Sequence, residues 1–314
     1  MVKIVKVNRK SSILTPSSLA CLSNIPTINL TSGCAHGCLY CYTRGYSTFP
    51  GENIIILYAN SLAKLQSELK HKRKKPYAVY FSPASDIFQP VPEVLEMGYD
   101  VLAYLFENEI RVAFLTKGHI PDPHMQLILA NSRLVRAQFG LITIDVKITK
   151  TLEPGAAIPE SRLFQAKQFI EAGIETQIRV DPIIPGLTDD NDSLSKLCAA
   201  VADIRVKRIA ASVLFLRTAI YKSLKCHCDP HIFKSLIAKF GKARKIKIHA
   251  ENSSVTALPA QMRLDIYKRL ERIAFEHGIA VRLCACKNPE IASGTCSIAG
   301  EWSGPSQRDL FYEE

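Results

Sequence analysis

Residues 33–42 read GCAHGCLYCY, which places Cys34, Cys38 and Cys41 at C-x3-C-x2-C spacing. Three thiolates this close on one loop can converge on a single small object. Structural zinc sites use four ligands, commonly from paired C-x2-C knuckles. Only three ligands are local here, and the C-x3-C step does not suit a knuckle. A cubane iron–sulfur cluster is the better match, because three cysteines hold three irons and leave the fourth to a non-protein ligand. An open iron implies reactivity as well as structure. Zinc or an inert loop is the alternative, and His36 reads as a hydrogen-bonder within the loop.

The remaining cysteines are grouped as well. Cys226 and Cys228 form one pair, Cys284, Cys286 and Cys296 a second cluster, and only Cys21 and Cys198 stand alone. No apolar run reaches the roughly 18 residues of a membrane span, so no membrane partner is expected. The N-terminal MVKIVKVNRK lacks the apolar core of a signal peptide. These features predict a cytoplasmic protein, where thiols stay reduced and clustered cysteines are more often metal or redox groups than disulfides.

The chain has 314 residues, 47% of them hydrophobic, enough for one large core. Its formal net charge of +11 raises nucleic acid as a partner, since Lys and Arg contacts to phosphate drive non-specific binding. The basic runs are KHKRKK (70–75) and GKARKIKIH (241–249). The first follows an amphipathic segment, and a helix C-terminus favours cations there. Neither run carries the interleaved aromatics of a single-strand stacking platform.

Apolar strand-like runs at 28–33, 78–83, 110–117, 135–143, 176–184 and 208–216 alternate with helical patterns at 60–72, 93–107, 122–131, 159–172 and 189–203. Strand alternating with helix predicts βα units and a parallel sheet, either a partial barrel or a doubly wound sheet. The organisation reads as an N-terminal segment (1–27), an α/β domain (28–220) and a more helical C-terminal extension (221–314), with helices at 229–241 and 258–277.

With the cysteine loop directly after the first strand, the sequence resembles the radical S-adenosylmethionine (SAM) enzymes. More narrowly, GCAHGCLYCYTR is similar to the spore photoproduct lyase-like branch, as are FSPASDIFQPV, FLTKG, LEPGAAIPESRL and AGIETQIRVDPIIPGLTD further on. The match runs over about residues 10–220. The resemblance implies a partial (β/α)6 TIM-type barrel followed by a cysteine-containing extension. It also implies a [4Fe–4S] cluster on Cys34, Cys38 and Cys41, SAM at the open iron, and an electron donor such as flavodoxin or ferredoxin.

Other roles carry over by position. Tyr40 and Tyr42 are the candidate catalytic residues, Tyr40 also offering its backbone to the adenine and Tyr42 bordering SAM. Ser82, Ser85 and Asp86 would hold the SAM amino group, and Lys117 its carboxylate. Thr143 would reach the ribose, and Arg179 would face the site unless it pairs with Glu153 or Asp181. One departure counts against the narrowest reading. The lyases carry a hydrogen-donating cysteine near the end of strand two, and residues 78–92 here contain none.

The C-terminal group lies outside the match. Cys284, Cys286 and Cys296, with Cys226 or Cys228 as a fourth ligand, suit a second [4Fe–4S] cluster, with zinc or unligated cysteines as the alternatives. The resulting expectation is a radical SAM enzyme whose substrate includes nucleic acid as a candidate, for a repair-lyase-like reaction or base modification. A peptide or small metabolite, acted on with an auxiliary cluster, is the second candidate substrate. A non-catalytic, metal-stabilised nucleic-acid-binding protein is the alternative of another class.

Overall fold

The structure is a computed structural model that describes residues 2–17, 20–23, 25–248 and 253–292. In chain order, β1 (Lys3–Val7), β2 (Thr27–Ile28), β3 (Thr31–Ser32) and β4 (Ile54–Tyr58) lead to α1 (Ser61–His71). Then β5 (Ala78–Phe81), α2 (Pro92–Glu107), β6 (Arg111–Thr116), α3 (Asp122–Ala130) and β7 (Val135–Gly140) alternate. Two helices, α4 (Val146–Leu152) and α5 (Pro159–Glu171), precede β8 (Glu175–Ile183). Next come α6 (Asn191–Asp203), β9 (Arg208–Val213), α7 (Thr218–His227) and α8 (Pro230–Lys239). The hairpin β10 (Arg244–Ile248) and β11 (Ser253–Ala257), α9 (Ala260–Glu276) and β12 (Ala280–Leu283) complete the described chain.

Seven strands form one parallel sheet in the order β2-β5-β6-β7-β8-β9-β12, which is also their order along the chain. Such crossovers are right-handed. When every step goes the same way, all helices fall on one face and the sheet curls around the other. A doubly wound sheet needs a reversal of strand order, and there is none here. The fold is therefore the partial barrel.

Local chemistry sets the helix starts. Asp145, Asp190 and Asp229 cap α4, α6 and α8 by accepting from backbone N–H groups of the first turn, which satisfies donors that the helix cannot. Pro92 and Pro159 occupy first helical positions of α2 and α5. Strands β5, β6, β7 and β9 are nearly all buried, as expected for a sheet covered on both faces.

Three features depart from the sequence reading. The run at 28–33 is not one strand: Thr27–Ile28 pairs with β5, and Thr31–Ser32 crosses to pair with β4 in a separate three-stranded sheet. The C-terminal region is not simply helical, since β12 joins β9 as the seventh barrel strand. The short helices α4 and α7 also form where the sequence shows too few turns for a periodic signal. Cys296 lies outside the described residues.

Candidate active site

The loop carrying Cys34, Cys38 and Cys41 leaves the C-terminal side of β2, and other segments hold its backbone in place. Gly33 sits at φ +84°, where an added Cβ would lie 2.4 Å from the Ile54 carbonyl oxygen. Arg44 donates from Nε to the Cys38 carbonyl at 3.0 Å and from Nη2 to the Gly37 carbonyl at 3.1 Å. Gln89 accepts from the Ala35 N–H at 2.8 Å and donates to Thr31 Oγ1 at 3.1 Å.

The Glu153-Pro154-Gly155 segment closes the other side. Leu39 N–H donates to the Leu152 carbonyl and Gly155 N–H to the His36 carbonyl, both at 2.9 Å. His36 Nδ1 donates to the Gly155 carbonyl at 3.0 Å. The fit leaves no room for a side chain at residue 155, because a Cβ there would lie 2.2 Å from the Ala35 carbonyl oxygen.

Beneath the loop lies a buried ionic group. Tyr40 Oη donates to Glu153 and accepts from Lys117 Nζ at 2.6 Å. Glu153 pairs with Lys117 at 3.0 Å and with Arg162 at 2.6 Å. Burial alone raises a carboxyl pKa, but the two cations and the donated hydrogen bonds outweigh it and bring Glu153 down to about 2. Desolvation likewise opposes the Lys117 charge, and Glu153 reverses it, so that pKa is raised. Burial, followed by the Glu153 charge, pushes the Tyr40 phenol well up.

Above this layer one cavity opens at the C-terminal ends of the strands, where parallel α/β folds place their sites. Cys34, Cys38 and Cys41 border it, and burial raises the pKa of both Cys34 and Cys38. Among the described residues, no three His, Cys, Asp or Glu side chains close around a single ion. Three thiols bordering one cavity are the donor type of an iron–sulfur cluster. The Ser82 and Ser85 hydroxyls also line the cavity, and each is buried with no hydrogen-bond partner in the protein. Buried hydroxyls are nearly always satisfied, so these two fit a polar ligand such as SAM. The donor set and the vacant hydroxyls thus accommodate both groups.

The other sequence candidates divide. Arg179 lines the cavity and pairs with Asp181 at 3.0 Å. Tyr42 borders it, and its hydroxyl donates to the Pro83 carbonyl. Asp86 lines it too, but its oxygens are engaged by His36 Nε2, the Phe88 and Lys117 N–H groups and Thr116 Oγ1, at 2.8–3.0 Å. Burial opposes the Asp86 charge, and His36 with these donors holds its pKa below the usual range. Lys117 is committed to Glu153 and Tyr40 as described. Thr143 does not border the cavity; its hydroxyl accepts from the Asp145 N–H at 3.1 Å in the turn before α4.

Cys284 and Cys286 line the same cavity, on segments that follow β12. The sequence reading pairs them with Cys226 or Cys228, and the structure separates these. Cys226 is exposed near the end of α7, Cys228 packs into the main core, and neither borders the cavity. Cys21 does border it. Sequence reasoning also missed Arg162 and Gln89 and named Glu153 only as an ion-pair partner for Arg179, although all three stand in the quoted FSPASDIFQPV and LEPGAAIPESRL.

The comparisons with known proteins agree with this geometry. An uncharacterised protein of Mycobacterium bovis is 25% identical over 217 residues, covering 66% of this chain and 64% of its own length. The chain thus spans just under two thirds of that curated relative. The Radical SAM Nalpha-GlyT isomerase of Pseudomonas phage M6 is 27% identical over 176 residues, 55% of this chain and 36% of the phage protein. Among solved structures, a spore photoproduct lyase mutant with bound AdoMet and dinucleoside spore photoproduct superposes at TM-score 0.65. It is 16% identical and the match covers 88% of this chain and 81% of that one, which is a likeness of fold. The sequence profile of the Radical SAM superfamily matches residues 28–198, and on that match the chain belongs to this superfamily.

Proposed function

We propose that the chain binds a [4Fe–4S] cluster through Cys34, Cys38 and Cys41 and uses it on SAM to act on a phosphate-bearing substrate, with nucleic acid the leading class. Radical SAM enzymes carry such a cluster and SAM, and they require a reductant. When bound, these groups supply reductive cleavage of SAM to a 5′-deoxyadenosyl radical that abstracts hydrogen from substrate.

The protein's part is position and enclosure. Ser82 and Ser85 offer their vacant hydroxyls to the polar end of SAM. Tyr40, held by Glu153 and Lys117, fixes the backbone beside the third thiol, where the adenine is assigned. Tyr42 borders the bound SAM. Asp86, engaged by four protein donors, keeps the Ser82–Ser85 turn in place. Lys117 acts as a positioning residue through Tyr40 and Glu153. Thr143 supports the turn into α4 and does not border the cavity in which SAM would bind.

The observation that carries the substrate class is the charge of the cavity. Arg44, Lys117, Arg179, Arg217 and Lys287 line it with Asp86 and Asp181, while Glu52 pairs with Arg44 and Glu153 with Lys117; the cations still outnumber the carboxylates, a balance that favours an anionic ligand. The net charge of +11 extends the same preference to the whole molecule. The neighbour solved with a dinucleoside spore photoproduct binds a nucleoside-containing ligand, which supports the same class here. The absence of cysteine from 78–92 argues against a hydrogen return like that of the lyases.

The C-terminal cysteines add a second cluster, a [4Fe–4S] in preference to zinc. Flavodoxin or ferredoxin in the cytoplasm supplies the electron. Among the described residues no helix is long and apolar enough to cross a membrane. The test is anaerobic reconstitution followed by dithionite and SAM. Methionine and 5′-deoxyadenosine are expected, and an intact cluster that leaves SAM uncleaved overturns the reading. Binding to an oligonucleotide that falls steeply with salt is expected in parallel.

A further inference from the structure

Cys21 and the Cys284–Cys286 turn lie more than 260 residues apart in sequence, yet the fold packs them together. Cys284 and Cys286 belong to a small buried cluster with Ala210, Phe215, Ile248 and Val255, and Cys21 packs against that cluster. All three cysteines also border the cavity that holds Cys34, Cys38 and Cys41. None of the described cysteines is in a disulfide.

The turn that presents Cys284 and Cys286 is strongly built. The Cys284 carbonyl accepts from the Lys287 N–H at 3.1 Å, from the Asn288 N–H at 2.9 Å and from Asn288 Nδ2 at 3.2 Å. Asn288 is fully buried, and its Oδ1 accepts from Arg263 Nη1 and Tyr267 Oη, each at 3.0 Å. Arg263 also reaches Glu290 at 2.8 Å. Lys287 projects the other way and pairs with Asp181 on β8 at 2.6 Å. A buried polar network is costly unless every member is satisfied. Here it holds a short turn whose two thiols line the cavity, tied through Lys287 and Asp181 to the barrel strand that carries Arg179.

Soft thiolates brought together from two distant segments, on a preorganised turn, are ligands for iron–sulfur clusters or zinc. A packing role for cysteines calls for no such turn and no opening onto the reaction cavity. We infer that Cys21, Cys284 and Cys286 are ligands of a second iron–sulfur cluster that forms the wall of the cavity opposite Cys34, Cys38 and Cys41. This deepens the reading above: it replaces Cys226 and Cys228 with Cys21, and it places the second cluster beside the substrate.

The experiment is metal and sulfide analysis with electron paramagnetic resonance on anaerobically reconstituted full chain. Wild type is expected to hold about eight irons, and the Cys34→Ala/Cys38→Ala/Cys41→Ala variant about four. Adding Cys21→Ala to that variant is expected to remove the remaining iron, while adding Cys226→Ala/Cys228→Ala leaves it in place. Cys21→Ser, whose oxygen can still ligate, is expected to retain a cluster with altered g values, a signature that packing alone would not move. Circular dichroism on each variant separates loss of ligand from loss of fold. The assignment is overturned if the Cys21→Ala addition leaves the iron and its spectrum unchanged in folded protein, if zinc fills the site, or if the triple variant holds no iron. In that last case, with wild type still cleaving SAM, the first site stands and only the second falls. A triple variant that keeps every iron sinks the first site instead.

Discussion

Arg162 Nη2 lies 2.6 Å from Glu153 Oε2, with both side chains at most 1% exposed. The pair joins the first turn of α5 to the segment clamping the cysteine loop, and Arg162 also holds the Gly140 and Ala157 carbonyls at 2.8 Å. Removing one member of a buried pair strands the other charge, at a cost of about 3–5 kcal/mol. Arg162→Met is therefore expected to lower urea-unfolding stability by that amount. It should also weaken cluster retention, read as iron per folded chain after gel filtration.

The same carboxylate sets an acid limit. Because the folded pKa of Glu153 lies near 2 and its ordinary value is 4.5, the folded state favours the ionised form. Its contribution, on the order of 3 kcal/mol, is complete above the ordinary value and is lost as pH falls from about 4.5 to 2. Unfolding free energy measured against pH should fall across that window for wild type. The slope should be shallower for Glu153→Gln, and equal slopes would remove Glu153 as the cause.

Ser85→Ala tests the ligand assignment with little risk to the fold. Its hydroxyl has no partner in the protein, so thermal stability should change little. A lost hydrogen bond to SAM is worth about 0.5–1.5 kcal/mol, which corresponds to a roughly 2- to 12-fold rise in the SAM dissociation constant. Calorimetry on the cluster-loaded protein reads it, and unchanged affinity would refute the contact.

Gly155→Ala and Gly45→Ala form a matched pair. The first adds a methyl 2.2 Å from the Ala35 carbonyl oxygen, while the second meets nothing within 4 Å. Overpacking at Gly155 is expected to destabilise by about 1–3 kcal/mol and to slow SAM cleavage by displacing the cysteine loop. Gly45→Ala should stay within about 0.5 kcal/mol of wild type and retain activity.

What the sequence revealed, and what it withheld, follows the range of the interactions. The cysteine spacing, the βα alternation and helices such as α5, bracketed by Pro159 and Gly173, are local patterns and were readable as such. The division of 28–33 between two sheets was not, because it depends on β4 more than 20 residues later. Lys117 stands at the end of its strand as the pattern indicates, but its partner Glu153 is 36 residues away. Cys21 looked solitary because its neighbours in space come from the far end of the chain.

Strand order has a consequence for how the metal site is made. The thiols at 34–41 leave the ribosome before β12 and the turn bearing Cys284 and Cys286, which emerge some 240 residues later. At typical elongation rates the interval is roughly 10–50 s. During that time the first loop faces solvent with its opposite wall still unmade. The half-built barrel thus leaves the cysteine loop uncovered on one side until the last strand is added.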